Sequence, residues 1–311
     1  MRVRIVGSAA GGGFPQWNCN YRLSRAARTG ASGVKARTQS SLAVSADGSR
    51  WVLINASPDI RQQIAENPQL QPQADDPLRS TPIRAVVLTN ADVDHIAGLL
   101  SLRERQPFAI YATREVLAAL DANSIFSVLD PKVVPRRILQ EDDEFAIRDA
   151  GGNDTGLRME AFSVPGKVAL FLENPDLPDA NYGSEKGDTI AVRLPGRSGR
   201  DLFYVPGCAR IDDRLRARLS GASCVLFDGT LYTDDEMIVA GVGAKTGARM
   251  GHVAMSGPDG SIEGLAQIDI GRRIFIHINN TNPVLDENSA EHAAVRQAGW
   301  EVGHDGMEIE L

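Results

Sequence analysis

A chain of 311 residues, 42% hydrophobic and 23% charged, can bury a large core and carries the charge of an ordinary soluble protein. Its net charge of −7 and pI near 5.3 argue against a nucleic-acid partner held by phosphate neutralisation. Residues 1–7 hold no signal-peptide core, and no stretch approaches the roughly 20 apolar residues of a membrane span. The three cysteines, Cys19, Cys208 and Cys224, are far apart and odd in number, which suits a reducing compartment. The expectation is a cytoplasmic protein with neither nucleic acid nor membrane as partner.

Residues 3–6 predict a first strand, turned by Ser8-Ala9-Ala10-Gly11-Gly12-Gly13. A phosphate-binding loop would need a third glycine where Gln16 stands, and Phe14-Pro15 breaks the helix it should open. A tight backbone turn explains these glycines better. Residues 40–45 and 51–55 alternate as two strands joined at Asp47-Gly48, a hairpin signal. Ser57-Pro58-Asp59 can cap a helix reaching about Glu66.

The run Ala85-Val86-Val87-Leu88 is a buried strand, and Leu99, Leu100 and Leu102 continue at helical spacing. Between them lies Thr89-Asn90-Ala91-Asp92-Val93-Asp94-His95-Ile96-Ala97-Gly98, the centre of the chain's chemistry. Two carboxylates and an imidazole so crowded repel or desolvate one another unless a cation sits between them. A metal ion meets that need. The plainer account is that Asp92 and Asp94 cap the following helix.

Strand and helix signals then recur at short intervals: strands at 108–111, 133–139 and 159–164, a helix at 114–120, and an acidic turn at 141–144. The segment 173–187 is rich in Pro, Asn, Asp and Gly without an apolar period. It reads as a loop over a site or as a surface insertion. Residues 189–194, 202–205 and 224–227 resume the strands, and 212–219 form an amphipathic helix ended by Gly221. The stretch 241–252 is glycine-rich and carries Lys245, Arg249 and His252; it could bring backbone N–H groups and cations to an anion, or be a solvated loop. A strand at 273–278 carries His277 into the polar loop Asn279-Asn280-Thr281-Asn282-Pro283. Ser289 caps a helix to Gln297, with His292 on its solvated face, and His304 takes no role. No repeat or linker interrupts the chain, so residues 1–311 read as one domain, with two sheets covered by helices.

The spacing of the central loop resembles that of metallo-β-lactamase-fold proteins, which carry His-x-His-x-Asp-His followed by glycine. Here the positions read Asn90, Asp92, Asp94, His95 and Gly98. The Asp-His pair remains, while both histidines that hold the first zinc of the usual hydrolase are replaced. His277 stands where the family's last histidine should be. The middle histidine and the bridging acid are missing at Pro165-Gly166-Lys167 and at Tyr204-Val205-Pro206-Gly207-Cys208. Together with Gly7–Cys19, Arg37-Thr38-Gln39-Ser40-Ser41 and Asn55-Ala56-Ser57-Pro58-Asp59-Ile60-Arg61, these motifs resemble the B-protein family of pyrroloquinoline quinone (PQQ) biosynthesis.

That resemblance implies a four-layer αββα sandwich of the α/β class. It also implies an enzyme, a non-haem iron oxygenase that hydroxylates the tyrosine ring of a Glu-Tyr unit, as a dipeptide or within a short precursor peptide. Fe(II) and O2 would be its cofactors, and other PQQ biosynthesis proteins its possible partners. The alternative in the family is a carrier in transport of PQQ or its precursor to the periplasm. Asp94, His95 and His277 make two imidazoles and one carboxylate, a ligand set of mononuclear iron oxygenases. Asp92 would be a fourth ligand or a base for the phenol proton, and His252 a donor to a ligand or an acid in oxygen activation. Lys245 and Arg249 would pair with substrate carboxylates. Relatives carry a Cys-x-Cys-x-x-Cys zinc cluster where this chain has Cys19, Tyr21 and Ser24, so no structural zinc is expected at Cys19. Without that clip, residues 20–33 must be ordered by packing or stay mobile, with mobility expected at 29–33.

Overall fold

Strands with apolar residues at every position need cover on both faces, and this chain supplies it. Along Trp51–Ile54, Val52 and Ile54 face one hydrophobic layer while Trp51 and Leu53 face another. The computed structural model describes residues 1–174, 176, 182–184, 187–196 and 199–311. It holds two seven-stranded mixed sheets. The first runs, edge to edge, Glu308–Glu310, Arg2–Gly7, Ser41–Ser45, Trp51–Ile54, Ile83–Val87, Ala109–Ala112 and Arg136–Ile138. The second runs Trp300–Val302, Ile270–Ile276, Ala222–Asp228, Leu202–Val205, Ile190–Leu194, Asp154–Ser163 and Glu144–Arg148.

Between the sheets lies a core to which both contribute, with Ile5, Val44, Ile54 and Val87 meeting Met159, Val192, Tyr204 and Ile274. Outside the first sheet, Ile60, Leu99, Val116 and Leu120 bring helices onto its other face. Outside the second, Leu215, Leu219, Leu265 and Val295 do the same. The result is the αββα sandwich expected of the metallo-β-lactamase fold, each sheet giving one face to its neighbour and one to helices.

Part of each sheet is parallel: Trp51–Ile54 through Arg136–Ile138 in one, Leu202–Val205 through Trp300–Val302 in the other. Ile83–Val87, Ala222–Asp228 and Ile270–Ile276 therefore end on the same side of their sheets, and their following residues carry the polar side chains. A crevice beyond the carboxyl ends of parallel strands is where α/β folds place ligands.

The Asp47-Gly48 hairpin forms, with Gly48 at φ +84° and Asp47 accepting from Ser49 and Arg50 N–H groups. The helix after Pro58 runs Ile60–Glu66, but the Asp59 carboxylate goes to Gln39 instead of capping it. After the central loop there is one α-helical turn, Val93–Ile96, continued as the 3₁₀ segment Ala97–Leu102. Gly98 permits that path, since a Cβ there would stand 2.1 Å from the Ser57 carbonyl oxygen. His292 is half-buried and bonds the Val284 carbonyl, so its expected solvated setting is corrected.

Several elements are additional to the sequence reading, among them the edge strands Trp300–Val302 and Glu308–Glu310. Glu144–Arg148 is an edge strand whose charged, half-exposed residues hide its period. Arg22–Arg28 is a helix, and the 20–33 segment is ordered by packing: Leu23 and Ser24 are buried, Arg28 bonds the carbonyls of Gln16 and Cys19, and the N–H groups of Thr29, Gly30 and Ala31 tie back to the helix. Most of the 173–187 segment lies outside the described residues. Among the described residues, no helix is long and apolar enough to cross a membrane.

Candidate metal centre

The end of Ile83–Val87 and the end of Ile270–Ile276 bring Asp94, His95 and His277 together, with all three ligand atoms within 4.8 Å of one another. Each imidazole is oriented from behind. His95 Nδ1 donates to Asn90 Oδ1 at 2.7 Å, so its Nε2 carries the lone pair. That Nε2 is buried and has no hydrogen-bond partner, and lies 3.7 Å from Asp94 Oδ2. A buried acceptor without a donor calls for an electrophile. Burial pushes the His95 imidazole down to about 4, outweighing the attraction of Asp94, so it stays neutral.

His277 is held by Thr230, whose Oγ1 donates to Asp228 Oδ1 at 2.7 Å and accepts from His277 Nδ1 at 2.9 Å. His277 Nε2 then faces Asp94 Oδ2 at 3.2 Å. Burial disfavours charge on both, but the contact with Asp94 raises His277 above the ordinary histidine range, and His95 with His277 holds Asp94 well below the ordinary carboxylate range. A proton on His277 thus supplies the positive charge that a cation would bring. His277 sits at φ +57°, a conformation unusual for a residue with a Cβ. Such strain gathers at functional sites and is held by the surroundings. Here Ile278 and Ser8 exchange a backbone bond that pins the strand end.

A second constellation shares His277. Asp228, His252 and His277 also lie within 4.8 Å by their ligand atoms. Asp228 is fully buried; its Oδ2 accepts from Cys208 N at 3.0 Å and pairs with His252 Nδ1 at 2.7 Å. Burial opposes its charge, but His252 and Thr230 hold it below the ordinary carboxylate range. The His252 and His277 rings stack with centroids 5.1 Å apart.

Of the residues singled out in the sequence, Asp94, His95, His277 and His252 converge. Asp92 does not join either group of ligand atoms among the described residues. Its carboxylate accepts from Leu170 N at 3.3 Å and from the Asn90 amide at 3.2 Å, and makes no capping bond to its own helix. Burial and Asp94 raise it above the ordinary range. Lys245 precedes a one-turn helix, Gly247–Met250, that carries Arg249, and both approach Glu173. The residue missed was Asp228. Its signal was an acid directly after the apolar run at 224–227, the same pattern as the central loop, but Asp-Gly-Thr also reads as an ordinary turn.

A buried carboxylate props the loop that follows His277. Glu236 accepts from Thr281 Oγ1 at 2.6 Å and from Tyr232 N at 2.7 Å, and burial raises it from 4.5 to about 7. A raised carboxyl binds its proton more tightly when folded, so its burden is absent below 4.5 and complete above 7. Glu236→Gln removes the charge; its one oxygen can accept from Tyr232 N–H while its NH2 donates to Thr281 Oγ1, reversing that bond. It is expected to be more stable than wild type by at most about 3 kcal/mol at pH 8, with the advantage gone at pH 4. Denaturant unfolding at several pH values measures this; a pH-independent difference would remove Glu236 as the cause.

Residues 50–278 match the model of a beta-lactamase superfamily domain. Solved members at low identity, such as a diphosphatase from the PhnP family (19% identical, TM-score 0.65, covering all of this chain and 98% of that one), share the fold. Much nearer is the Zn2+-bound PqqB crystal structure from Methylobacterium extorquens, 52% identical with a TM-score of 0.93 over the whole of both chains. Coenzyme PQQ synthesis protein B of Methylobacterium radiotolerans is 53% identical, and that of Methylobacterium nodulans 54%, each over the full length of both chains. The chain belongs to the coenzyme PQQ synthesis protein B family, within the metallo-β-lactamase superfamily.

Proposed function

We propose that this protein acts in PQQ biosynthesis as an iron- and dioxygen-dependent hydroxylase of the tyrosine ring in a Glu-Tyr unit. The observation that carries the reading is the orphaned His95 Nε2 beside Asp94 and His277. Two imidazoles and one carboxylate on one side of a centre suit iron(II) and leave further positions open. Asp94, His95 and His277 would hold the metal, with Asn90 and Thr230 fixing the two tautomers. Iron(II) bound there would supply the dioxygen chemistry of ring oxygenation, with the two further electrons that release the second oxygen atom as water coming from an external reductant.

The remaining work falls to the chain. Asp228 holds His252 by its Nδ1, which leaves Nε2 as the atom that gives or takes a proton at the centre. Asp92, raised by burial, is suited to take the phenol proton of the substrate. Lys245 and Arg249 would receive a substrate carboxylate. All three cysteines are free, which agrees with a cytoplasmic setting. The carrier reading would need an anion site but no neutral, unsatisfied imidazole.

The test is direct. Protein loaded anaerobically with iron(II), then given Glu-Tyr, oxygen and a two-electron reductant such as ascorbate, is expected to yield a dipeptide heavier by oxygen on the ring, the second oxygen atom leaving as water. No such product, with the dipeptide bound and iron in place, would favour the carrier. A second expectation concerns hydrolysis. Asn90 and Asp92 stand in the histidine positions and Gly166-Lys167 at the third, and the second group, Asp228, His252 and His277, shares His277 with the first. The reading is therefore of one metal, with no second to clamp a leaving oxygen. β-Lactams, thioesters and phosphodiesters should be cleaved no faster than by free metal. Turnover with two zinc ions per chain would overturn the single-metal reading.

A further inference from the structure

Three cations converge on one carboxylate beside the centre. Glu173 Oε1 lies 3.3 Å from Lys167 Nζ, and its Oε2 lies 3.3 Å from Arg249 Nη2 and 3.9 Å from Lys245 Nζ. The Glu173 and Lys167 side chains are each only 12% exposed, whereas Lys245 and Arg249 are 41% exposed. Yet Glu173 Oε1 is buried without a hydrogen bond. The carboxylate is gripped by charge but poorly matched in geometry, which wastes a strong acceptor.

The cations are placed by the two caps of a one-turn helix. Thr246 caps the turn between Lys245 and Arg249. Gly251 ends that turn at φ +84°, and a Cβ there would meet the Lys167 stem at 3.0 Å. The bare backbone lets Lys167 lie across it. The cluster adjoins the centre on two counts. His252 follows Gly251 directly, and Leu170, three residues before Glu173, donates its N–H to Asp92.

We infer that Lys167, Lys245 and Arg249 form the subsite for a carboxylate of the substrate, and that Glu173 is its internal occupant, given up when substrate binds. The identity of the ligand rests on the Glu-Tyr reading; the subsite itself does not. Exchanging one carboxylate for another leaves the local charge unchanged, so a ligand wins by better hydrogen bonding and by its contacts elsewhere. Removing the charge of Glu173 removes a competitor and should tighten binding.

Zinc-loaded protein, which cannot turn over oxygen, separates binding from chemistry. Calorimetry with Glu-Tyr is expected to show about tenfold tighter binding to Glu173→Gln than to wild type, equivalent to about 1.4 kcal/mol. The double variant Lys245→Gln/Arg249→Gln should bind at least about tenfold more weakly. Gln-Tyr amide, which has no carboxylate, should not distinguish these proteins. Should Glu173→Gln fail to fold, Glu173→Asp, which keeps the charge on a shorter stem, is expected to bind more tightly than wild type. Binding of Glu-Tyr that is unchanged or weaker in a folded Glu173 variant would make Glu173 a structural ion pair and overturn the inference, as would no binding to any of the proteins. Binding shifts as expected with no hydroxylated product from the iron protein would sink the hydroxylase reading and leave the subsite standing. Product without carboxylate-dependent binding would do the reverse.

Discussion

Replacing His277 with alanine is expected to weaken iron(II) binding by at least about 100-fold. One of three protein ligands is lost, and the Asp94 carboxylate keeps its burial while losing its partner. Removing one member of such a buried pair costs about 3–5 kcal/mol of folding stability, a burden on the metal-free protein that is separate from the lost ligand. The position also sits at φ +57°, which alanine tolerates poorly. The metal-free variant should therefore melt below wild type as well. His277→Asn separates the two effects, because asparagine accepts positive φ but its shorter side chain does not reach Asp94. It should hold its melting temperature better than alanine while binding iron as weakly. Iron stoichiometry after equilibrium dialysis, read beside the melts, decides the matter. Wild-type stoichiometry in both variants would remove His277 from the centre.

Sequence carried the fold well because burial on both faces leaves a plain mark. Runs such as Ala85-Val86-Val87-Leu88 have nowhere to go but inside a covered sheet, and the polar loop after such a run is where ligands belong. The Asp94–His95 pair was legible for that reason. His277 was legible only through resemblance, since nothing in a spacing of 182 residues says that two strand ends meet. Asp228 and Thr230 escaped because a single acid before Gly-Thr has the chemistry of a turn. Their function lies in which imidazole they orient, and that is a property of the fold. Asn90 is the instructive case. In the resemblance it was a lost ligand; in the structure it fixes the tautomer of His95. A substitution that removes one metal position thereby prepares another. The same holds for Glu173, which belonged in sequence to a polar insertion and in the structure faces three cations.

Asp228→Asn is expected to reduce turnover by about 10²–10⁴-fold while leaving iron stoichiometry unchanged. The carboxylate is fully buried and receives Cys208 N–H and Thr230 N–H on different oxygens, with His252 Nδ1 and the Thr230 hydroxyl as well. An amide offers one oxygen in place of two. Whichever way it is turned, its NH2 faces a backbone N–H, and one buried donor loses its acceptor. Stability should fall by about 1–3 kcal/mol for that reason alone. The larger effect is on His252. With the amide nitrogen facing its ring, Nδ1 must become the acceptor, and the proton moves to Nε2, the nitrogen proposed to exchange a proton at the centre. His252 could then donate there but no longer accept, and any step that needs it as a base would stall. Because Asp228 acts through His252, the loss should be non-additive: Asp228→Asn/His252→Ala should turn over no more slowly than His252→Ala by itself. Single-turnover rates of the iron-loaded variants, with the pH dependence of each, test this. An Asp228→Asn rate within tenfold of wild type, or a double variant slower than His252→Ala by the full product of the single effects, would show that the two residues do not work as a pair.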